Sequence, residues 1–380
     1  MNPRPVRLTR PPVSPLSAEA RLGRDIFFDV TLSASGQLAC ASCHSPDRAY
    51  GPPPGTHSVT RAIPSLRYVD RVPAFTIGPA TGDESPAPPV PVASAVPRGG
   101  LFWDGRASTL QSQAMSPLLG ANEMANGTID AAAAKLRRAY GARLAALFGP
   151  AAISTADLTV ADAMFAVARF ELEDSSFHPY SSKYDAYLEG KAALAPNERR
   201  GLAVFEDPAR GNCAACHPSR PSPDGLPPTF SDYEYEALGV PRDTAATVNR
   251  DATHFDLGLC GPQRTDMMTA SHYCGMFRTP SLRNATTRMS FFHNGVYHSL
   301  DQVIAFYAFR DAQPDRIYPR GADGGSVRYN DVPVAFRANV DTADRPFGHS
   351  PREGPALSDA DMRDLVAFLS TLTDGFRRVP

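Results

Sequence analysis

Apolar residues recur at helical spacing over several stretches of the chain, and these stretches predict its main elements. Ala131 to Phe148 is rich in alanine, leucine and arginine, and beyond it Leu158, Met164, Val167, Ala168 and Phe170 recur at helical spacing. That is the pattern of helices with one face against a core. Near the end, Ser358 precedes a run in which Met362, Leu365, Val366, Leu369 and Leu372 share one face, predicting a capped helix over Asp359 to Leu372.

The chain also repeats an order of features once, at long range. Leu16-Ser17 opens a stretch containing Leu22-Gly23, Phe27 and then Cys40, and Leu194-Ala195 opens one containing Gly201-Leu202, Phe205 and then Cys213. Each reads as a short helix leading into a cysteine. Ser17 and Asn197 can serve as N-caps, and Glu198 favours the helix dipole from the first turn.

Elsewhere the pattern breaks. Pro73 to Pro97 carries seven prolines in 25 residues, and Pro218, Pro221, Pro223, Pro227 and Pro228 follow the second cysteine pair; both stretches read as loops. The segment from Phe177 to Gly190 reads as a connection. Strand signals are few and short. A length of 380 residues allows two to three domains at ~150 residues each. The expected fold is mainly α: two modules, 1–180 and 181–380, packed face to face and carrying long Pro-rich loops.

Composition supports a globular chain, with 42 % hydrophobic and 21 % charged residues. A formal net charge of −2 argues against nucleic acid as a partner. No apolar run approaches the roughly 18 to 20 residues of a membrane span, and Met1 to Pro15 lacks the apolar core of a secretory signal, so the sequence reads as a mature, soluble protein.

The candidate chemistry lies in the cysteines. Cys40-Ala41-Ser42-Cys43-His44 and Cys213-Ala214-Ala215-Cys216-His217 both fit Cys-x-x-Cys-His, which attaches one haem c through two thioethers and directs the next imidazole at the iron. A zinc site needs two more ligands beside each pair, and a redox dithiol does not call for histidine at the fifth place twice. His44 and His217 are thus the expected proximal ligands of two covalently bound haems, which implies an oxidising compartment outside the cytosol. Two cysteines remain, Cys260 and Cys274, with 13 residues between them. A disulfide is the favoured reading, worth ~3 kcal/mol for a loop of about 15 residues; the alternative is a copper-type site helped by His272, Met267, Met268 or Met276. Spacing alone does not identify a sixth ligand for either iron. His57, His178, His254, His272, His293, His298 and His349 remain as other histidines.

Further segments resemble those of the bacterial di-haem cytochrome c peroxidases and their protein-modifying relatives of the MauG type. Phe102-Trp103-Asp104-Gly105-Arg106-Ala107, then Gln113, Pro117 and Glu123-Met124, is similar to that family's segment after the first haem. Phe277-Arg278-Thr279-Pro280-Ser281-Leu282-Arg283-Asn284, then Phe292-His293-Asn294-Gly295, is similar to the segment after the second. The resemblance runs from about Leu16 to Leu372. It implies two cytochrome c-like domains, with Trp103 between the haems as an electron or hole relay, and Glu123 and Gln113 over the open face of the His44 haem, where a carboxylate can move the proton that peroxide cleavage requires.

It also implies that the position 14 residues after His293, Tyr307, is the sixth ligand of the His217 iron. The peroxidase branch has methionine there and the MauG branch tyrosine, a hard anionic donor that favours oxidised iron. The family's blocking histidine has only His57 as a counterpart, out of register, so an open His44 haem is expected. The family's calcium site corresponds to Ala62, Arg288 and Ser290, which argues against calcium; Arg288 would partly replace its charge. The leading expectation is a periplasmic oxidoreductase that uses hydrogen peroxide to reach a high-valent di-haem state and oxidises a tryptophan or tyrosine of a partner protein. The alternatives are a peroxidase drawing electrons from a small redox protein, and a non-catalytic electron-transfer cytochrome with both irons fully ligated.

Overall fold

The computed structural model describes residues 1–56, 60–78 and 95–377. Its helices are α1 (Ala18–Phe28), α2 (Cys40–Cys43), α3 (Leu110–Leu119), α4 (Ile129–Phe148), α5 (Ala156–Glu173), α6 (Lys183–Leu188), α7 (Pro196–Glu206), α8 (Leu300–Phe309) and α9 (Asp359–Ser370). The short strands β1 (Thr76–Gly78) and β2 (Val96–Arg98) pair antiparallel, as do β3 (Tyr235–Glu236) and β4 (Phe277–Arg278). The Pro-rich stretch expected to be loop therefore ends in a strand on either side, and residues 79–94 within it lie outside the described residues, as does His57.

Two apolar cores organise these elements. In the first, Leu22, Ile26 and Phe27 of α1 meet Leu136 and Leu144 of α4 and Val160, Met164, Val167 and Phe170 of α5. In the second, Leu202, Val204 and Phe205 of α7 meet Ile304 and Phe309 of α8 and Leu365, Phe368 and Leu369 of α9. Val6 to Arg10, before α1, lies on the second core rather than the first: Leu8 packs there, Val6 N donates to Leu188 O at 2.9 Å, and Arg10 pairs with Glu189 at 2.9 Å.

The repeat in the sequence has a steric basis. A Cβ on Gly23 of α1 would stand 1.8 Å from the Ala166 carbonyl oxygen of α5, and one on Gly201 of α7 would stand 1.9 Å from the Asp364 carbonyl oxygen of α9. Each core thus closes by a helix crossing so tight that backbone meets backbone, which only glycine permits. Replacing Gly201 with alanine is expected to prise α7 from α9 at a cost of about 1–3 kcal/mol or more. Thermal unfolding of the holoprotein checks this; an unchanged midpoint would refute the tight crossing.

Several local expectations need correction. Ser17 caps α1, accepting from Ala20 N, and Ser358 caps α9, accepting from Asp361 N. The cap of α7 is instead Ala195, because Pro196, with no N–H to satisfy, takes the first helical position and places Asn197 inside the helix. Glu198 reaches back to accept from Ala195 N at 2.7 Å. Leu158 is 43 % exposed, since it stands nine residues, about two and a half turns, before Val167 and so on the opposite side of α5, while Met164, Val167, Ala168 and Phe170 are buried. Met362 and Val366 only border the second core, and Leu372 follows the end of α9. The connection after Phe177 contains α6 because Ser182 and Asp185 form a capping box.

The face between the cores is held by charge as well as packing. Arg283, fully buried, donates to Asp185 Oδ1 at 2.6 Å and Oδ2 at 2.9 Å, and its guanidinium lies 4.9 Å from the Tyr68 ring and 5.0 Å from the Tyr180 ring. Burial pushes the Asp185 carboxyl up, but Arg283 and the Ser182 hydrogen bonds outweigh it and hold the group below the usual carboxylate range.

Candidate di-haem site

Each cysteine–histidine motif folds into a single turn, α-helical at Cys40–Cys43 and 3-10 at Cys213–Ala215. His44 N donates to Cys40 O at 2.9 Å and His217 N donates to Cys213 O at 2.9 Å, so each histidine returns to the side of its own cysteines. Each imidazole is then fixed by a backbone carbonyl: His44 Nδ1 donates to Tyr50 O at 3.0 Å, and His217 Nδ1 to Phe230 O at 2.8 Å. Anchoring Nδ1 selects the tautomer whose Nε2 lone pair is free for a metal. Burial pushes both imidazoles down to about 4, against the pull of these hydrogen bonds, so both rings are neutral and ready to ligate at neutral pH. The cysteines of the two motifs are not bonded to one another. Unbonded thiols and a neutral imidazole on one turn fit a covalently attached haem at each place.

The second place opens into a large cavity. Cys213, Cys216 and His217 line it together with Tyr307, Arg288, Arg278, Phe277, His293 and Trp103. Tyr307, on α8, stacks on Phe347 with ring centroids 5.3 Å apart. Burial drives its phenol above the ordinary tyrosine value, with the neighbouring Cys216 and Cys213 adding to the effect. Such a hydroxyl gives up its proton only to a strong local charge, which a ferric iron supplies. His217 and Tyr307 thus stand in one cavity, where both could hold a single haem iron.

At the first place, α3 sets the geometry. Its end at Gly120 turns back, with Glu123 N and Ala125 N both donating to Gly120 O, so that the Glu123 carboxylate lies over Gly120, 2.2 Å from where a Cβ there would stand. Burial pushes this carboxyl up and the Arg106 charge opposes that; burial, and then the Glu123 carboxylate, in turn raise the Cys43 thiol. Gln113 is half-buried on the same helix, and among the described residues no hydrogen bond joins it to Glu123.

Trp103 occupies the junction. Its loop is closed by Leu101 N donating to Ala107 O at 2.6 Å and anchored by the buried Asp104, which accepts from Arg61 at 2.7 Å and Arg106 at 2.8 Å. The indole N–H donates to Ala62 O at 2.8 Å, and Ala62 N donates to His293 O at 2.7 Å. Trp103 O accepts from Arg278 N at 2.9 Å, so the two segments with family resemblance meet across the modules. Trp103 lines both the His217 cavity and a smaller cavity beside it.

Cys260 and Cys274 form a disulfide, which leaves no thiolate for a copper site. Met267 is buried in the cluster around Tyr235, Leu259 and Tyr273, while Met268 is exposed. Among the described residues no group of three or more His, Cys, Asp or Glu side chains is placed to hold a metal ion, and no helix is long and apolar enough to cross a membrane. Arg288 is half-buried, lines both cavities, donates to Ser281 O at 2.7 Å and leaves Nε unpartnered; burial and Arg278 push it down to about 10.

Sequence reasoning passed over three groups. Arg106 stood in a recognised segment, yet nothing local showed that its charge reaches Glu123. Arg278 likewise carried no sign of lining both cavities. Glu171 is fully buried beside Cys40 with its carboxyl pushed up to about 8 by burial and Oε2 unpartnered, and a single glutamate on an apolar helix gives no signal of that.

Comparison with known proteins bears on this geometry. A family model described as di-haem cytochrome c peroxidase matches residues 17–193. The methylamine utilization protein MauG of Paracoccus denitrificans is 33 % identical, covering 94 % of this chain and 89 % of that protein. The cytochrome c551 peroxidase of Nitrosomonas europaea is 28 % identical, over 77 % of this chain and 73 % of that one. Among solved structures, the diheme peroxidase BthA from Burkholderia thailandensis superposes with a TM-score of 0.83 at 37 % identity, covering 97 % of this chain and 89 % of that one. The mainly helical two-module fold and near full-length similarity agree: the chain belongs to the di-haem cytochrome c peroxidase and MauG family and is a di-haem, peroxide-dependent oxidoreductase.

Proposed function

We propose that this enzyme oxidises a tryptophan or tyrosine on a partner protein, and that it does so in the periplasm. The observation that carries this reading is Tyr307 facing the His217 cavity where a thioether would mark a simple electron-accepting haem. When bound, the two haems supply the peroxide cleavage and the storage of oxidising equivalents. The protein's own parts divide the remaining work. Glu123 takes the proton from the inner oxygen of peroxide and returns it to the outer one, and Gln113 orients the peroxide. The Tyr50 and Phe230 carbonyls hold His44 and His217 as neutral ligands. Trp103, its N–H tied to Ala62 O, carries electrons inward from the partner and between the modules.

Arg288 supplies the positive charge that calcium provides in relatives; metal analysis finding one calcium per chain would refute this. The function is tested by mixing the ferric holoprotein with hydrogen peroxide and candidate partner proteins encoded beside it. A defined mass change on one partner is the expected result. Rapid turnover with a reduced small cytochrome and no partner modification would establish the peroxidase instead, and a wholly low-spin protein indifferent to peroxide would end both readings.

A further inference from the structure

The smaller cavity beside Trp103 is lined by two tyrosines, Tyr68 and Tyr233, contributed by different modules. Their hydroxyls are not equivalent. Tyr233 donates to Thr229 Oγ1 at 2.7 Å, a neutral acceptor. Tyr68 donates to both oxygens of a carboxylate, Asp374 Oδ1 at 2.9 Å and Oδ2 at 2.8 Å. Asp374 is itself fixed as an acceptor by Asn284 Nδ2 at 2.6 Å, Ser181 N at 3.0 Å and Arg67 at 3.4 Å.

This pairing matters for oxidation. The Trp103 N–H rests on a carbonyl oxygen, a weak base, so an oxidised indole there keeps its proton and readily takes an electron back. A phenol loses its proton on oxidation and needs a base within hydrogen-bond reach. Burial drives the Tyr68 phenol well above its ordinary value, with Arg283 opposing, so its proton leaves together with the electron rather than beforehand. Tyr180, with its ring 4.8 Å from that of Tyr68, has no hydrogen-bond partner for its hydroxyl and cannot serve in its place.

We infer that Tyr68 and Asp374 form a redox-active tyrosine site that draws an oxidising equivalent from Trp103 when no partner protein takes it. In this step Trp103, having lost one electron to the peroxide-oxidised haem centre, regains an electron from Tyr68. The Tyr68 O–H bond breaks and its proton forms a new O–H bond on Asp374, leaving a neutral tyrosyl radical. The inference rests on the peroxide-driven reading above. It makes Tyr68, buried at 2 % exposure, a store of oxidising power on a side chain that belongs to neither haem motif.

Freeze-quench electron paramagnetic resonance of the holoprotein after peroxide addition, without partner, tests it. The expected result is a tyrosyl signal that is lost in Tyr68→Phe while the haem absorption change on peroxide addition persists. In Asp374→Asn, which keeps the shape of the site and the tyrosine, the signal should form at least about tenfold more slowly, and wild-type formation should slow in deuterium oxide. Absence of a tyrosyl signal in the wild type, or an undiminished one in Tyr68→Phe, overturns the relay alone. Haems that do not respond to peroxide overturn the functional reading and the relay together.

Discussion

Replacing Tyr307 with methionine is expected to raise the reduction potential of the His217 haem by a few tenths of a volt, since axial ligands move haem potentials over about 0.8 V in all. A phenolate adds negative charge to ferric iron and resists reduction, whereas a thioether favours the ferrous state. The cavity accepts the exchange, because Tyr307 is set among apolar and aromatic neighbours, Phe292, Phe306 and Phe347, that a flexible methionine can also pack against. Partner oxidation should disappear in this variant, while peroxide turnover with a reduced small cytochrome is retained or gained. Spectroelectrochemical titration reads the potential directly. A potential unmoved by the substitution would mean that Tyr307 does not touch the iron.

The second large effect belongs to Glu123. Glu123→Gln keeps the shape and removes the base, and the reaction of peroxide with the His44 haem is expected to slow by about 10²–10⁴-fold. The pH profile gives an independent check. The Glu123 carboxyl lies above its ordinary value because burial outweighs the opposing Arg106 charge. The proton-accepting form is the carboxylate, so the wild-type rate falls as pH drops through that raised value, at a higher pH than an exposed glutamate would give. Stopped-flow absorbance from acid to neutral pH should show this fall in the wild type and a flat, low profile in the variant. A wild-type rate independent of pH over that range would remove Glu123 from the proton transfer.

What could be read from the sequence was what is written locally. One Cys-x-x-Cys-His string contains the whole turn that returns a histidine to its cysteines, and Ser358 with Asp361 contains a whole helix cap. Helix phase was less legible. Leu158 belongs to the apolar run of α5, yet it is half a turn out of phase with Val167 and faces solvent. The start of α7 misled because two residues compete for it: Asn197 has the capping side chain, but Pro196 already fixes the first helical position. Pairings across the fold left no trace at all. Tyr68 and Asp374 are separated by 306 residues, and neither segment hints at the other. The Glu123 position depends on how the chain turns after Gly120, a matter of tertiary packing rather than pattern.

The segment from Val6 to Arg10 attaches to Leu188, Gly225 and Glu189, across 182 residues between Val6 and Leu188 and 216 between Thr9 and Gly225. In a chain that emerges N-terminal end first, this strap therefore precedes its anchors by a long interval and can dock only once residues through Gly225 are present. Contacts of such long separation are slow to close and come late. The first core can condense without the strap, whereas the second is finished by it, so a nascent chain holds an assembled first half and an open second half until the strap folds over. Shortening that interval, or trimming the strap, would change how the second half is completed without altering a single ligand of either haem.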